Sequence, residues 1–418
     1  MLPINKLKSL NFQWEAIIST TKTEELRANN NGLSMPSSNN VSTIITRAII
    51  GKKQGVSIET NSLKIKQSLI NAQKTAQASN EIDFMPKINS QTILKKEKIN
   101  YKNFNEKELA ESMEKIIAKL NNKAPLMQAH ISKQETEYNY INYLGANLKA
   151  KTDEIAASIE IGKNDSIGFD YFKASSKKPD FSNLVKNALL KYDYSKKTIK
   201  PKSGNYSIIL CHDALMAALS PILFSLKAQN VFLKKSRFIN SIEKKELSNE
   251  ITITDNCNEK NNKSYFDFEG NKSKKTLLAK KGIIKSFIHD NFTSQKMNMK
   301  NTNNSSSMIA KPSASFNCIE IKGDQKMQEM IKNTKKGFLL YDLYPEHTIN
   351  PTTGAFGQNS SSFYYIENGE IKGLSKGYVI TGNSYEIFKK TNGVSKETRN
   401  DMDSNIGAIK TQAKIIKN

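Results

Sequence analysis

Arginine is scarce in this chain. Arg27, Arg47, Arg237 and Arg399 are the only four among 63 basic residues, although the formal net charge is +23. The planar guanidinium fork reads phosphates and guanine edges bidentately. A lysine surplus spread along the chain, with no basic arm, therefore argues against a specific nucleic-acid site. Together with frequent asparagine it reads as a genome-wide codon bias and a solvated surface. Cysteine is also rare. Cys211, Cys257 and Cys318 are odd in number, widely spaced and without a CxxC pair. A disulfide framework is excluded, and a reducing cytoplasm is the expected compartment. Long hydrophobic runs are absent. The longest, 219–226 (LSPILFSL), is broken by Pro221 and two serines, far short of the roughly 20 apolar residues of a membrane span. The first residues lack the apolar core and small-residue cleavage site of a secretory signal. No GxGxxG, Walker loop or GxSxG elbow occurs, so neither a nucleotide site nor a nucleophile elbow is indicated.

What is present is a chain of 418 residues, 37% hydrophobic and 25% charged, enough for two or three domains. The first part predicts an α+β lobe. Residues 15–19 (EAIIS) form a strand candidate, and 42–50 (STIITRAII) with 56–60 (VSIET) read as a hairpin across Gly51 and Gly55. Ile65, Leu69, Ala72 and Ala76 give residues 61–79 one apolar helical face. Residues 81–104, with Pro86 and a KKEK run, read as a connection. Asn105 and Glu108 then resemble a capping box, opening a helix with Leu109, Met113, Ile116 and Leu120 on one face. Residues 135–158 read as strands around a turn at Gly145.

The stretch 196–204 (KKTIKPKSG) is basic and has no apolar face. It places a boundary between an N-terminal lobe, 1–198, with an internal joint at 81–104, and a C-terminal lobe, 199–418. The second lobe predicts a strand at 206–210, a helix at 215–226 and alternation at 251–254. Two hairpins follow, 276–287 and 364–374, the latter turning at Asn368-Gly369, where a type I′ turn needs positive φ twice. A late helix, 383–390, has Asn383 and Glu386 as a capping box and Gly393 past its end. The polar run 298–307 (NMKNTNNSSS) predicts a mobile loop.

Six short segments then resemble one family in the right order. Phe266-Asp267-Phe268-Glu269-Gly270 is similar to its (F/I)DDEG segment, and 277–290 (LLAKKGIIKSFIHD) to its LIENGxLKxxLxD hairpin. Residues 337–343 (GFLLYDL) resemble GLLVTEL, and 353–357 (TGAFG, with Gly354 and Phe356) resemble TGDFS. Residues 364–373, carrying Glu367, Asn368 and Gly369, resemble xxIENGEIxxPV, and 379–383 (VITGN, with Gly382 and Asn383) resemble xTIAGN. Earlier, Asn142-Tyr143-Leu144-Gly145 resembles an NSxG turn, while the family's leading helix is shortened by about 20 residues, a typical helix length. The family is that of TldD and PmbA, formerly described as modulators of DNA gyrase, and the chain is most similar to its non-catalytic TldE/PmbA subunits.

That resemblance implies an α+β fold: an N-terminal α/β lobe of small sheets with helices, then a mainly antiparallel β lobe. It also implies a test of metal chemistry. The catalytic TldD subunits carry an HExxxH helix and a late cysteine, in which two histidines hold zinc and the glutamate activates water. Here the corresponding stretch is His212-Asp213-Ala214-Leu215-Met216-Ala217, and neither cysteine nor histidine follows Ile380. His212 is the one weak metal candidate, and neither a catalytic residue nor a cofactor is assigned to this chain. His130, His289 and His347 stand apart, with hydrogen-bonded structure expected at His289-Asp290. Cys211 reads as core, and Asp267 and Glu269 as structural or partner-facing. The resemblance thus implies an accessory subunit of a heterodimeric zinc peptidase, cytoplasmic, lining a channel for unfolded peptide while a TldD-like partner holds zinc. The competing readings are a metallopeptidase with non-standard ligands and a stand-alone peptide- or nucleic-acid-binding module.

Overall fold

A computed structural model describes the chain except residues 1–6, 8, 61–63, 83–87, 89–105, 121–122, 175–180, 260–261, 309–312, 346–347 and 402. Asn105, most of the 81–104 joint, His347 and residues 1–6, where the resemblance puts the shortened leading helix, lie outside the described residues.

The α+β class is as expected, and the first lobe is more unified than the sequence suggests. Instead of small sheets it builds one seven-stranded sheet. Its path is β3-β2-β1-β4-β5-β6, comprising β1 (Gln13–Asn29), β2 (Ser37–Ile50), β3 (Lys53–Glu59), β4 (Leu126–Asn142), β5 (Asn147–Lys163) and β6 (Ser166–Ala174), and the seventh strand, the short Gly32–Leu33, pairs with β1 off this path. β1 is far longer than EAIIS. Its antiparallel register with β4 runs unbroken from Glu15↔Asn142 to Asn29↔Gln128, so pairing carries the strand through a stretch too polar to announce itself. The expected 42–60 hairpin is β2–β3, and the Gly145 turn joins β4 to β5.

Helices cover one end and the other of this sheet. In α1 (Ile65–Ala78) the buried residues are the apolar face read from sequence, with Ser68 added. Gly55 lets the helix come close, since a Cβ there would lie 2.1 Å from the Ala76 nitrogen. α2 (Glu106–Leu120) and α3 (Phe181–Ser195) pack against Leu26, Ala129, Ile131, Ile155 and Ile159.

The second lobe centres on β7 (Gly204–Leu210), which leads into α4 (His212–Ser225). Around β7 a twelve-stranded sheet includes β8 (Ile253–Asp255), β9 (Thr276–Lys280), β10 (Ile283–Ile284), β11 (Ile319–Ile321), β12 (Lys336–Leu340) and β13 (Ala355–Asn359). It continues through β14 (Tyr364–Glu367), β15 (Glu370–Leu374), β16 (Tyr378–Asn383), β17 (Gly393–Asn400) and β18 (Ser404–Lys417). Pairing is antiparallel except β7–β12 and β11–β18. Both predicted hairpins form, and Asn368 and Gly369 have φ 53° and 80°.

Three local expectations need correction. The run 298–307 is tied down rather than loose. Thr302, Asn304 and Ser305 are buried, and Asn304 Nδ2 donates to Asp255 Oδ2 at 2.7 Å. Polar residues satisfied by buried partners behave as core. Hydrogen-bonded structure does form at His289-Asp290, since the His289 backbone bonds Thr302 and Asn304 and Asp290 accepts from Thr293, but the buried His289 ring has no hydrogen-bond partner among the described residues. Finally, Asn383 does cap α5 (Ser384–Lys389), accepting from the Tyr385 nitrogen at 3.0 Å, but Gly393 opens β17 instead of closing the helix.

Candidate functional site

The first turn of α4 sits at the mouth of a cleft between the two sheets. β7 ends by pairing with β12, and the Cys211 nitrogen then donates to Leu340 O at 2.8 Å. This holds the helix start at the sheet's edge. The helix begins three residues earlier than its apolar pattern suggests, which puts His212 and Asp213 on it. Cys211 is core: burial pushes its thiol up to about 12, so it is no nucleophile.

The cleft has a volume of about 600 Å³, and its walls include Phe169, Tyr171, Lys191, Asp213, Tyr341 and Arg399. Its first wall is β6, whose Ile167 and Phe169 are 42% and 44% exposed. As an edge strand, β6 would offer its outward backbone to an extended peptide. Two of its carbonyls are already taken. Lys191 Nζ donates to Phe169 O at 2.9 Å, and Arg399 Nη2 donates to Tyr171 O.

Polar contacts converge on His212. Its Nδ1 lies 2.7 Å from Asp213 Oδ1 and its Nε2 2.9 Å from Ser404 Oγ. The Tyr171 hydroxyl donates to the same Asp213 oxygen. Burial alone would raise the Asp213 carboxyl, but hydrogen bonds from His212 and Tyr171 outweigh it and hold it below its usual range. Tyr171 is pushed the other way, by burial and then by its bond to Asp213.

His212, Asp213 and Asp401 each bring one ligand atom within 4.8 Å of the others, making the one such group among the described residues. This set does not fit the zinc that the resemblance implies. Ligands at 2.0–2.2 Å in a tetrahedron lie roughly 3.3 Å apart, whereas His212 and Asp213 meet at hydrogen-bond distance, 2.7 Å. The other ring nitrogen is held by Ser404. Ala217, where the catalytic motif has its second histidine, is buried in the core with no donor atom. Asp401 and Ser404 belong to none of the motif segments, and neither is one of the cysteine or histidine ligands that the resemblance implies beyond Ile380.

The other motif residues lie elsewhere. Asp267 and Glu269 are buried in the turn that docks the second lobe on the first. Both Asp267 oxygens accept backbone or side-chain N–H groups, from Glu269, Asn271 and Ser305. Phe266 and Phe268 pack against Ile17, Tyr140 and Leu148, and Gly270 lies on the Tyr140 ring. Burial raises Asp267 to about 6 and, with the Asp267 charge, raises Glu269 well above the usual range.

Gly354, Phe356, Gly382 and Asn383 meet where β13 pairs with β16, and Asn383 Nδ2 donates to Thr353 O at 2.7 Å. This pair supports Tyr385, whose hydroxyl lies 2.7 Å from Ser225 Oγ at the end of α4. Glu367, Asn368 and Gly369 form the β14–β15 turn, with backbone donation to Lys335 and Thr334. Of the six motif segments, 337–343 reaches the cleft through Tyr341 and Asp342, and 364–373 through Tyr364. His130 is remote from it, 3.2 Å from Glu25 Oε2.

Comparison with known proteins agrees with this architecture. Residues 203–415 match the family model described as the PmbA/TldA metallopeptidase C-terminal domain. A metalloprotease TldD homolog of Buchnera aphidicola (strain APS) is 29% identical over 178 residues, 41% of this chain and 36% of that protein. A metalloprotease PmbA homolog of Buchnera aphidicola (strain Bp) is 25% identical over 168 residues, 40% and 36% of the two chains. The chain spans between 36% and 65% of the length of the first curated relatives it matches. The crystal structure of TldE from Thermococcus kodakarensis superposes with TM-score 0.88 at 21% identity, covering 97% of this chain and 96% of that one. At that identity the likeness fixes the fold. The sequence match over 203–415, more than half of the chain, fixes the kinship: this protein belongs to the PmbA/TldD family of metallopeptidases.

Proposed function

We propose that this chain is the accessory, TldE-like subunit of a two-chain zinc peptidase acting on unfolded peptides. The observation that carries the reading is the state of α4. It keeps the family scaffold and the cleft, yet its metal-binding positions hold Ala217 in the core and a His212 with both nitrogens engaged. A scaffold retained without its metal ligands suits a role in shaping a substrate channel while the TldD-like partner supplies zinc, which polarises the scissile carbonyl and activates water.

Because the carbonyls of Phe169 and Tyr171 are capped, substrate contact here falls to side chains. Exposed Ile167, Phe169 and Tyr344 offer apolar area to the apolar residues that an unfolded chain displays. No helix among the described residues is long and apolar enough to cross a membrane, and the cytoplasmic location is part of the proposal. The reading as a metallopeptidase with non-standard ligands would need His212 and Asp213 to leave their present bonds.

The test is co-expression with a TldD-like protein. The two should co-elute on gel filtration, as an interface above about 1,200 Å² would allow. Cleavage of an unfolded peptide should appear only in the mixture and vanish when the partner's motif glutamate is changed. Cleavage by this chain alone would overturn the assignment.

A further inference from the structure

A chain that draws 59 of its 63 basic residues from lysine makes each arginine informative. Arg27 is an exposed partner of Glu25. Arg47 is buried against Glu15, its Nε 2.6 Å from Oε1. Arg237 stacks 4.9 Å from the Tyr385 ring. Arg399, on β17 of the second lobe, makes three contacts with β6 of the first. Its Nη1 is 3.2 Å from Asp170 Oδ1, its Nη2 donates to Tyr171 O, and its guanidinium lies 4.1 Å over the Tyr171 ring. These contacts need a flat, forked cation, and lysine's single ammonium cannot make all three at once.

The contacts continue into the cluster around α4. Tyr171 donates to Asp213, Asp213 meets His212, and His212 meets Ser404 on β18. On the other side Asp170 Oδ1 also pairs with Lys191 of α3 at 2.9 Å. Three carboxylates, Asp170, Asp213 and Asp401, are therefore gathered around Arg399 at one seam. Gathered carboxylates repel unless a cation stands among them. Arg399 and Lys191 both pair with Asp170 here, and of these two Arg399 comes from the second lobe.

We propose that the Arg399–Asp170–Tyr171–Asp213–His212–Ser404 network is a clasp that closes the cleft seam without a metal ion, with the Arg399 guanidinium supplying the positive charge among its carboxylates. The clasp binds the edge strand β6 to the second sheet and caps the Tyr171 carbonyl, while Lys191 takes that of Phe169, so it sets the width of the cleft and withdraws part of that edge from peptide pairing. It operates within the single chain, whether or not the chain has a catalytic partner.

Two measurements on the full chain test it. The first is thermal unfolding of wild type with EDTA and with added Zn²⁺. Neither should move Tm, because the seam carries its own cation. A rise with Zn²⁺ that His212→Ala abolishes would overturn the proposal. The second compares Arg399→Met and Arg399→Lys by Tm and by hydrogen exchange. Both should lower Tm by roughly 2–6 °C. Both should speed amide exchange in Ser166–Ala174 while leaving β7 protected. Lysine retaining wild-type exchange would overturn the need for the fork. A loss spread evenly over both sheets would reduce Arg399 to general packing and also sink the clasp. If Arg399→Met does not fold, Tyr171→Phe takes its place, with the same local increase in exchange required. Failure of the heterodimer experiment leaves these outcomes unaffected, and failure of the clasp leaves the accessory reading standing.

Discussion

Two acid-rich places in this molecule look alike in sequence and behave in opposite ways. Asp267 and Glu269 lie within three residues, fully buried, in a turn that inserts between the sheets. Asp213 sits in the first turn of α4 and opens on a cleft, its side chain 32% exposed. At the turn, burial dominates and both carboxyls are raised, Asp267 to about 6. At the cleft, hydrogen bonds from His212 and Tyr171 outweigh burial and Asp213 is lowered. The difference teaches that a family motif can mark a joint while the cleft is assembled from residues that no motif joins. FDFEG holds two lobes together, whereas the cleft and the contacts behind it gather Tyr171, Lys191, His212, Arg399 and Ser404 from five separate elements and Tyr341 from just past β12.

The sharpest way to break this contrast is at the joint. Gly270 has φ 70°, and a Cβ there would lie 2.4 Å from the Tyr140 ring. Gly270→Ala should destabilise by about 2–5 kcal/mol, combining backbone strain and overpacking against a fully buried ring. Urea denaturation measures it, and a loss under about 1 kcal/mol would mean that the turn is not a packed joint.

The next effect is a pH dependence of opposite sign at the two places. A carboxyl raised in the folded state favours folding while protonated, so the joint loses stability as pH climbs from the unfolded value of about 4 through 6. Asp213, lowered in the folded state, contributes stability that is present above about 4 and lost as pH falls through its folded pKa. Glu269→Gln mimics the protonated joint and keeps an acceptor for the Asn291 nitrogen, 3.0 Å from Oε2. It should change stability by no more than about 1 kcal/mol where the joint is protonated and flatten the decline as pH rises. An unchanged decline would show that the Glu269 charge is not its source.

The smallest effect belongs to the cleft rim. Lys376 pairs with Asp165 at 3.5 Å, with side-chain exposures of 45% and 96%. Lys376→Met should change stability by less than about 0.5 kcal/mol. A larger loss in the same denaturation experiment would give the rim a structural weight that its exposure denies.

Much of this fold could be read from local pattern. The α1 and α2 faces, the β2–β3 hairpin and the Asn368-Gly369 turn follow from periodicity and from the few residues that tolerate positive φ. Other features depended on partners distant in the chain. β1 runs on to Asn29 because β2 and β4 pair with a stretch that is polar by itself. The asparagine- and serine-rich 298–307 run is ordered because Asp255, Asp267 and His289 wait to receive its hydrogen bonds. The cleft was legible only at its His212 and Asp213 corner, since nothing in the spacing of Tyr171, Arg399 and Ser404 relates them.

The sequence by itself thus determined the class of fold, the kinship, and the absence of an HExxxH helix with its late cysteine. Each is a matter of residue identity at short range, where periodicity, turn chemistry and motif order act. Only the tertiary structure decided that FDFEG is a joint and that both nitrogens of His212 are taken. It also decided that the scarce Arg399 reaches across the seam to Asp170 and Tyr171. Hydrogen bonds and ion pairs act over about 3 Å of space, and residues 229 positions apart come that close only once two sheets have packed together.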